Sequence, residues 1–96
     1  MYVVTVEFTI HAEHRADFMT LMLDNARLSR TDEPGCRQFD VCIDDARADV
    51  VFLYELYDDR AAFEAHLAAA HFKAFDDAIR DWVARKDVKI YERIAP

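Results

Sequence analysis

The chain is poor in the residues that break regular structure and in those that cross-link it: one glycine, two prolines and two cysteines among 96 residues. So little glycine and proline, with 53% hydrophobic residues, excludes a disordered or low-complexity segment and predicts a compact domain over residues 1–96. Long apolar runs are missing too. None approaches the ~20 residues that span a bilayer, and "MYVVTVEFTI" has neither a basic leader nor a cleavage site, so the expectation is a cytoplasmic protein without a membrane partner. Positive charge is short, with 12 basic against 19 acidic residues and a net charge of −7, which repels phosphate backbones and argues against nucleic acid as partner. If Cys36 and Cys42 share one extended strand, six residues at ~3.3 Å place them roughly 20 Å apart, beyond the ~7 Å between Cα atoms of a disulfide. Both are read as reduced thiols. Neither belongs to a C-x-x-C pair, and the spacings His11/His14 and His66/His71 bring no nearby partner set, so no metal site is expected.

What is present is periodicity. Tyr2, Val4, Val6, Phe8 and Ile10 alternate with Val3, Thr5, Glu7 and Thr9, the period of a half-buried strand. From about His14 to Arg30, Phe18, Leu21, Met22, Asn25 and Leu28 recur at helical spacing, which turns Asn25 inward. "DEPGC" follows as a turn, Pro34 presetting its first central position and Gly35 tolerating a positive φ at the second. Residues 36–43 read as a strand with Phe39, Val41 and Ile43 on one face, and "DDARA" connects it to a third strand at 49–57 that is apolar on both faces apart from Glu55. Asp58 is placed to cap a second helix whose inward stripe is Ala62, Phe63, His66, Leu67 and Ala70. A turn or kink then leads to Phe72, Phe75, Ile79 and Trp82, and residues 87–94 form a last strand.

Strand, helix, strand, strand, helix, strand is the order of the ferredoxin-like plait, an α+β fold with an antiparallel four-stranded sheet and helices on one face. Because the third strand is apolar on both sides, one sheet face is left bare, and a second copy of the chain is the simplest cover. A homodimer is expected, with Glu7, Arg37 and Glu55 as candidates to set its register.

The segments "VVTVEFTI", "DNARLSRTDEPGCRQFDVCID", "FLYELYDDRAAFEAHL" and "HFKAF" resemble the antibiotic biosynthesis monooxygenase family, in particular its quinol monooxygenase-like and autoinducer-2-processing members. The resemblance implies a dimeric α+β barrel with a pocket between sheet and helices. It also implies oxidation of phenolic or quinol-like substrates by O2 without metal, flavin or haem, or, in one branch, isomerisation of a phosphorylated pentanedione. Many relatives carry Thr-Pro before the second histidine where this chain has Ala69-Ala70, which bears on how His71 enters the pocket.

Three residues are the candidates for chemistry. His66 is either a structural histidine bonded to a carbonyl or a base that moves a proton near neutral pH. His71 is either a helix-end histidine or its partner. Asn25, an amide on an apolar face, must find hydrogen bonds, to a loop carbonyl or to a substrate oxygen on which charge develops. Tyr54, if it lies on the helix side, adds a phenolic donor, and Phe39, Phe63, Phe72 and Trp82 are core residues that also suit the wall of a flat aromatic substrate. The leading expectation is a cofactor-independent monooxygenase for a quinol, anthrone-like or phenolic compound. The alternatives are an isomerase of a phosphorylated diketone, needing cations from among Arg27, Arg30, Arg37 and Lys73, and a non-catalytic dimeric module that holds a small aromatic or dicarbonyl ligand.

Overall fold

A computed structural model describes residues 1–96. Its elements are β1 (Tyr2–Ile10), α1 (Arg15–Asp32), β2 (Cys36–Ile43), β3 (Val50–Tyr57), α2 (Arg60–Ala68), α3 (Ala70–Ile79) and β4 (Val83–Glu92), with single 3-10 turns at Ala12–His14 and Arg80–Trp82. The sheet is antiparallel throughout in the order β2-β3-β1-β4, so the α+β ferredoxin-like plait stands. No helix is long and apolar enough to cross a membrane.

The core forms where the alternating residues of β1 meet the α1 stripe. Val4, Val6, Phe8 and Ile10 pack with Phe18, Met22 and Ala26, and Phe75 and Ile79 close the layer from α3. Phe18 sits between Phe8 and Phe75, at centroid distances of 5.2 and 5.9 Å, in the tilted geometries that aromatic quadrupoles favour. Register then settles the parity of β3. Val4 pairs with Glu55 and Val6 with Leu53, so Val51, Leu53, Glu55 and Tyr57 face the helices while Phe52, Tyr54 and Leu56 face away. Glu55 is therefore buried inside the chain and does not lie on the bare face with Glu7. Arg37 pairs with Asp58 at 2.6 Å, and Glu7 with Arg47 at 3.4 Å, so the expected three-residue register set does not assemble.

Other local expectations change for physical reasons. A register irregularity between Cys36 and Gln38 lets both Cys36 and Phe39 reach the core, which strict alternation forbids. Asp59 caps α2, its carboxylate accepting from Ala62 N at 2.8 Å, because Asp58 is engaged by Arg37. Leu67 and Ala70 lie on the exposed side of the helical hairpin. The fourth strand starts at Val83 and ends at Glu92, since the 3-10 turn delivers the chain to the sheet edge earlier than the residue pattern suggests. Gly35 does not adopt a positive φ. It is needed for space: a Cβ there would stand 2.5 Å from the Ala62 Cβ, so the turn and α2 touch only because the side chain is missing.

Candidate active site

Three elements deliver polar side chains to one point beneath the helices. On α1 the stripe of Phe18 and Met22 continues into Asn25 and Ser29, both buried. After α1, Glu33 starts the turn closed by Cys36 N donating to Glu33 O at 3.1 Å, which directs its carboxylate back under α2. The break at Ala69, in extended conformation, separates α2 from α3 and swings His71 around to the same place as His66. No Thr or Pro is required for that break; Ala69 supplies the conformation without a side-chain cap.

Glu33 is the hub. Its carboxylate lies 2.9 and 3.1 Å from His66 Nδ1 and 2.6 Å from His71 Nε2. A carboxylate only accepts, so both facing ring nitrogens carry a proton, and in the neutral form of each ring the acceptor atoms are Nε2 of His66 and Nδ1 of His71. Ser29 Oγ donates to Asn25 O at 2.8 Å and stands 3.4 Å from each of the same ring nitrogens. His66 is walled in by rings, with Phe72 at 4.9 Å, Tyr57 at 5.6 Å, Phe39 at 5.9 Å and Phe63 at 6.3 Å between centroids. Burial pulls the His66 pKa below its ordinary value, and the Glu33 hydrogen bond opposes that pull, so the ring is neutral and held rather than charged.

Beside this cluster a cleft of about 220 Å³ runs between α1 and α3, lined by Leu21, Asn25, Leu28, His71 and Phe75 among others. Asn25 is 4% exposed, and its Oδ1 is buried without any hydrogen-bond partner. An amide acceptor left so costs roughly 1–3 kcal/mol. On the sheet side of the cluster, Tyr57 Oη donates to Glu55 Oε1 at 2.5 Å. Burial pushes the Glu55 carboxyl up to about 7, against the pull of Tyr57 and Lys86, and pushes the Tyr57 phenol upward as well.

The site thus gathers His66, His71 and Asn25 from the expected set, with Phe39, Phe63 and Phe72 around His66. None of the five expected wall residues lines the cleft: Phe39, Phe63 and Phe72 pack around the buried His66, and the other two lie farther off. Tyr54 points to the sheet face opposite the helices, and Trp82 stacks on His14, with centroids 5.4 Å apart, beyond the far end of α3. Glu33, Ser29 and Glu55 are the additions. The spacing of the histidines alone held no sign of metal-ligand company, yet Glu33, His66 and His71 bring their ligand atoms within 4.8 Å of one another.

The comparisons with known proteins point one way. A Nitrosomonas europaea protein provisionally described as an antibiotic biosynthesis monooxygenase superposes with a TM-score of 0.94 at 28% identity, over 99% of this chain and 100% of its own. A Deinococcus radiodurans protein described in the same terms gives 0.92 at 25% identity, over 100% and 95% of the two chains. PA3566 from Pseudomonas aeruginosa shares the fold, with a TM-score of 0.91 at 22% identity over 98% and 94%. No curated protein matches the sequence. The model of the antibiotic biosynthesis monooxygenase family matches residues 1–78, and the chain belongs to that family.

Proposed function

We propose that this protein is a cofactor-independent monooxygenase that oxidises a small quinol, anthrone-like or phenolic substrate with O2. The observation that carries the reading is the junction of two features: an imidazole fixed by a carboxylate, and an apolar cleft that this imidazole lines together with the amide of Asn25. With Nε2–H of His71 given to Glu33, Nδ1 is free to take a proton, and His71 is the histidine that lines the cleft. His66, 2% exposed and enclosed by rings, supports the carboxylate from the other side, so the base is assigned to His71. The substrate hydroxyl donates to His71 Nδ1, which takes its proton, and the Asn25 side-chain N–H donates to the oxygen left charged. The cleft is small against the ~300–1,000 Å³ of drug-sized pockets, which favours a single-ring compound or the edge of a larger one.

Deprotonation raises the electron density of the ring, and the phenolate passes electrons to O2 in one-electron steps. One oxygen atom joins the ring carbon. The other leaves as water with two hydrogens from the substrate, so a quinol becomes a hydroxyquinone and an anthrone becomes a quinone. The substrate is the reductant.

The phosphorylated-diketone isomerase shares the base but needs cations for its phosphate. Arg27 is engaged by Asp24, Arg30 by the Phe39 carbonyl and Arg37 by Asp58, and neither these nor Lys73 lines the cleft, which Asp24 does. This favours oxidation over isomerisation. We further propose that a second copy covers the sheet face bearing Phe52, Tyr54 and Tyr91, giving a homodimer. Oxygen uptake by the chelator-treated protein over a panel of reduced quinones and anthrones tests the activity. Saturable uptake with product hydroxylation supports it; its absence, with saturable ligand binding retained, leaves the non-catalytic binding module.

A further inference from the structure

We propose that Glu33, His66 and His71 form a site for one divalent transition-metal ion of the zinc or cobalt type, in which the ion replaces the two N–H to carboxylate bonds and each ring carries its one proton on the nitrogen that faces away. The proposal does not rest on the monooxygenase reading, because it concerns binding in the absence of substrate.

The donors come from three separate elements: the turn after α1, the end of α2 and the start of α3. All three ligand atoms lie within 4.8 Å of one another. Donors around a tetrahedral ion, each at ~2.0–2.1 Å from it, are about 3.3 Å apart. The observed separations of 2.9 Å (His66 Nδ1 to Glu33 Oε2) and 2.6 Å (His71 Nε2 to Glu33 Oε2) need to open by less than an ångström to reach that spacing. The two ring nitrogens, within 4.8 Å of each other, must close toward the same spacing, and Glu33 and His71, with 12% and 16% of their side chains exposed, are the ligands with room to turn. His66, at 3%, is held in place by the surrounding rings and supplies the rigid ligand.

Chemistry narrows the ion. Two imidazoles and one carboxylate suit zinc, cobalt or nickel, whereas magnesium and calcium prefer all-oxygen shells. Ser29 strengthens the case from a fourth direction. Its proton is committed to Asn25 O, so its lone pairs are what it turns toward the ring nitrogens 3.4 Å away, and a neutral oxygen facing the cluster favours a cation there. The ion enters from the His71 side, next to the cleft between α1 and α3. Binding ties up Glu33 and the ring that would move the substrate proton, so under the monooxygenase reading the metal-loaded form is inhibited and chelator restores it.

The test is calorimetric titration of Zn²⁺ into chelator-stripped, dialysed protein in two buffers of different ionisation heat, with Co²⁺ absorption as a second probe. One ion per chain, a heat that is the same in both buffers because neutral rings and an ionised carboxylate release no proton, and visible d–d bands for Co²⁺ are expected. Glu33→Gln and His71→Asn should each weaken binding by at least about tenfold, while the His11→Ala/His14→Ala double variant binds as the parent does. Absence of heat and of cobalt bands overturns the proposal, as does affinity retained in the Glu33 and His71 variants. Should a variant fail to fold, the unaltered protein still decides: Co²⁺ must broaden the NMR resonances of two histidine rings, His66 and His71, before those of His11 and His14. The reverse order overturns the site.

Discussion

Glu33 Oε2 lies 2.6 Å from His71 Nε2, although the two residues are 38 positions apart and belong to different elements. The contact fixes which ring nitrogen carries the proton and so which one is free to accept another. Under the proposed function it makes Glu33 a positioning residue whose effect reaches the substrate through His71.

Glu33→Gln tests that role. An amide accepts from only one of the two rings and donates toward the other, so the tautomer of His71 is no longer set. We expect kcat to fall by about 10²-fold, the scale of general-base catalysis, with KM changed much less. The pH–rate profile should shift as well, since a purely structural loss would scale the rate at all pH values alike. Steady-state oxygen consumption across pH checks both.

Glu55 gives the protein an unusual stability profile. The folded chain keeps its proton to about pH 7, while the unfolded chain releases it near 4.5. Between those values the folded state binds more protons than the unfolded one, so stability falls as pH rises through the window, by at most about 3 kcal/mol. His66 acts with the opposite sign: its lowered pKa means that the unfolded chain protonates first below 6.5, so its contribution to stability is lost on acidification. Glu55→Gln keeps an acceptor for Tyr57 and removes the first slope. Urea denaturation at about pH 5 and about pH 8 should show the variant gaining on the parent at the higher pH.

Gly35→Ala sets a methyl group against Ala62, with 2.5 Å between the two Cβ atoms. Ala62 Cβ is no flexible side-chain end, so α2 must move as a whole. Overpacking of this kind costs about 1–3 kcal/mol. Because α2 carries His66, the displacement should also lower activity. Thermal denaturation and oxygen uptake on the same preparation check the pair of effects.

The bare sheet face makes a separate prediction. Phe52 and Tyr54 sit side by side on β3, pairing across to Glu7 and Thr5 and facing away from the helices. Phe52→Glu should shift a dimer toward monomer in sedimentation velocity while leaving the far-ultraviolet dichroism intact. A parent protein that sediments only as monomer at micromolar concentration contradicts the dimer.

Much of this architecture is legible in the sequence because hydrophobic periodicity is strong in β1 and α1; the same pattern places Asn25 inward. The third strand is different. It is apolar on both faces, so nothing local says whether Tyr54 or Glu55 points to the helices, and only pairing with Val4 and Thr5 decides. Glu33 reads as the first residue of a turn, and its partnership with two histidines depends on where three elements end in space. A second signal was available in Ser29, which falls four residues after Asn25 on the buried stripe and extends the polar break in that face. Trp82 continues the residue pattern of α3 and so reads as pocket wall, yet the helix stops at Ile79 and the 3-10 turn carries the ring to His14.

The most direct test of the central claim is oxygen uptake by the metal-free parent and its His71→Ala variant, side by side, on one reduced quinone with spontaneous oxidation subtracted. The account predicts saturable uptake by the parent and a loss of about 10²-fold or more in kcat for the variant, with its fold intact. Equal uptake by the two proteins, or none above background from the parent on any quinol or anthrone, would contradict it.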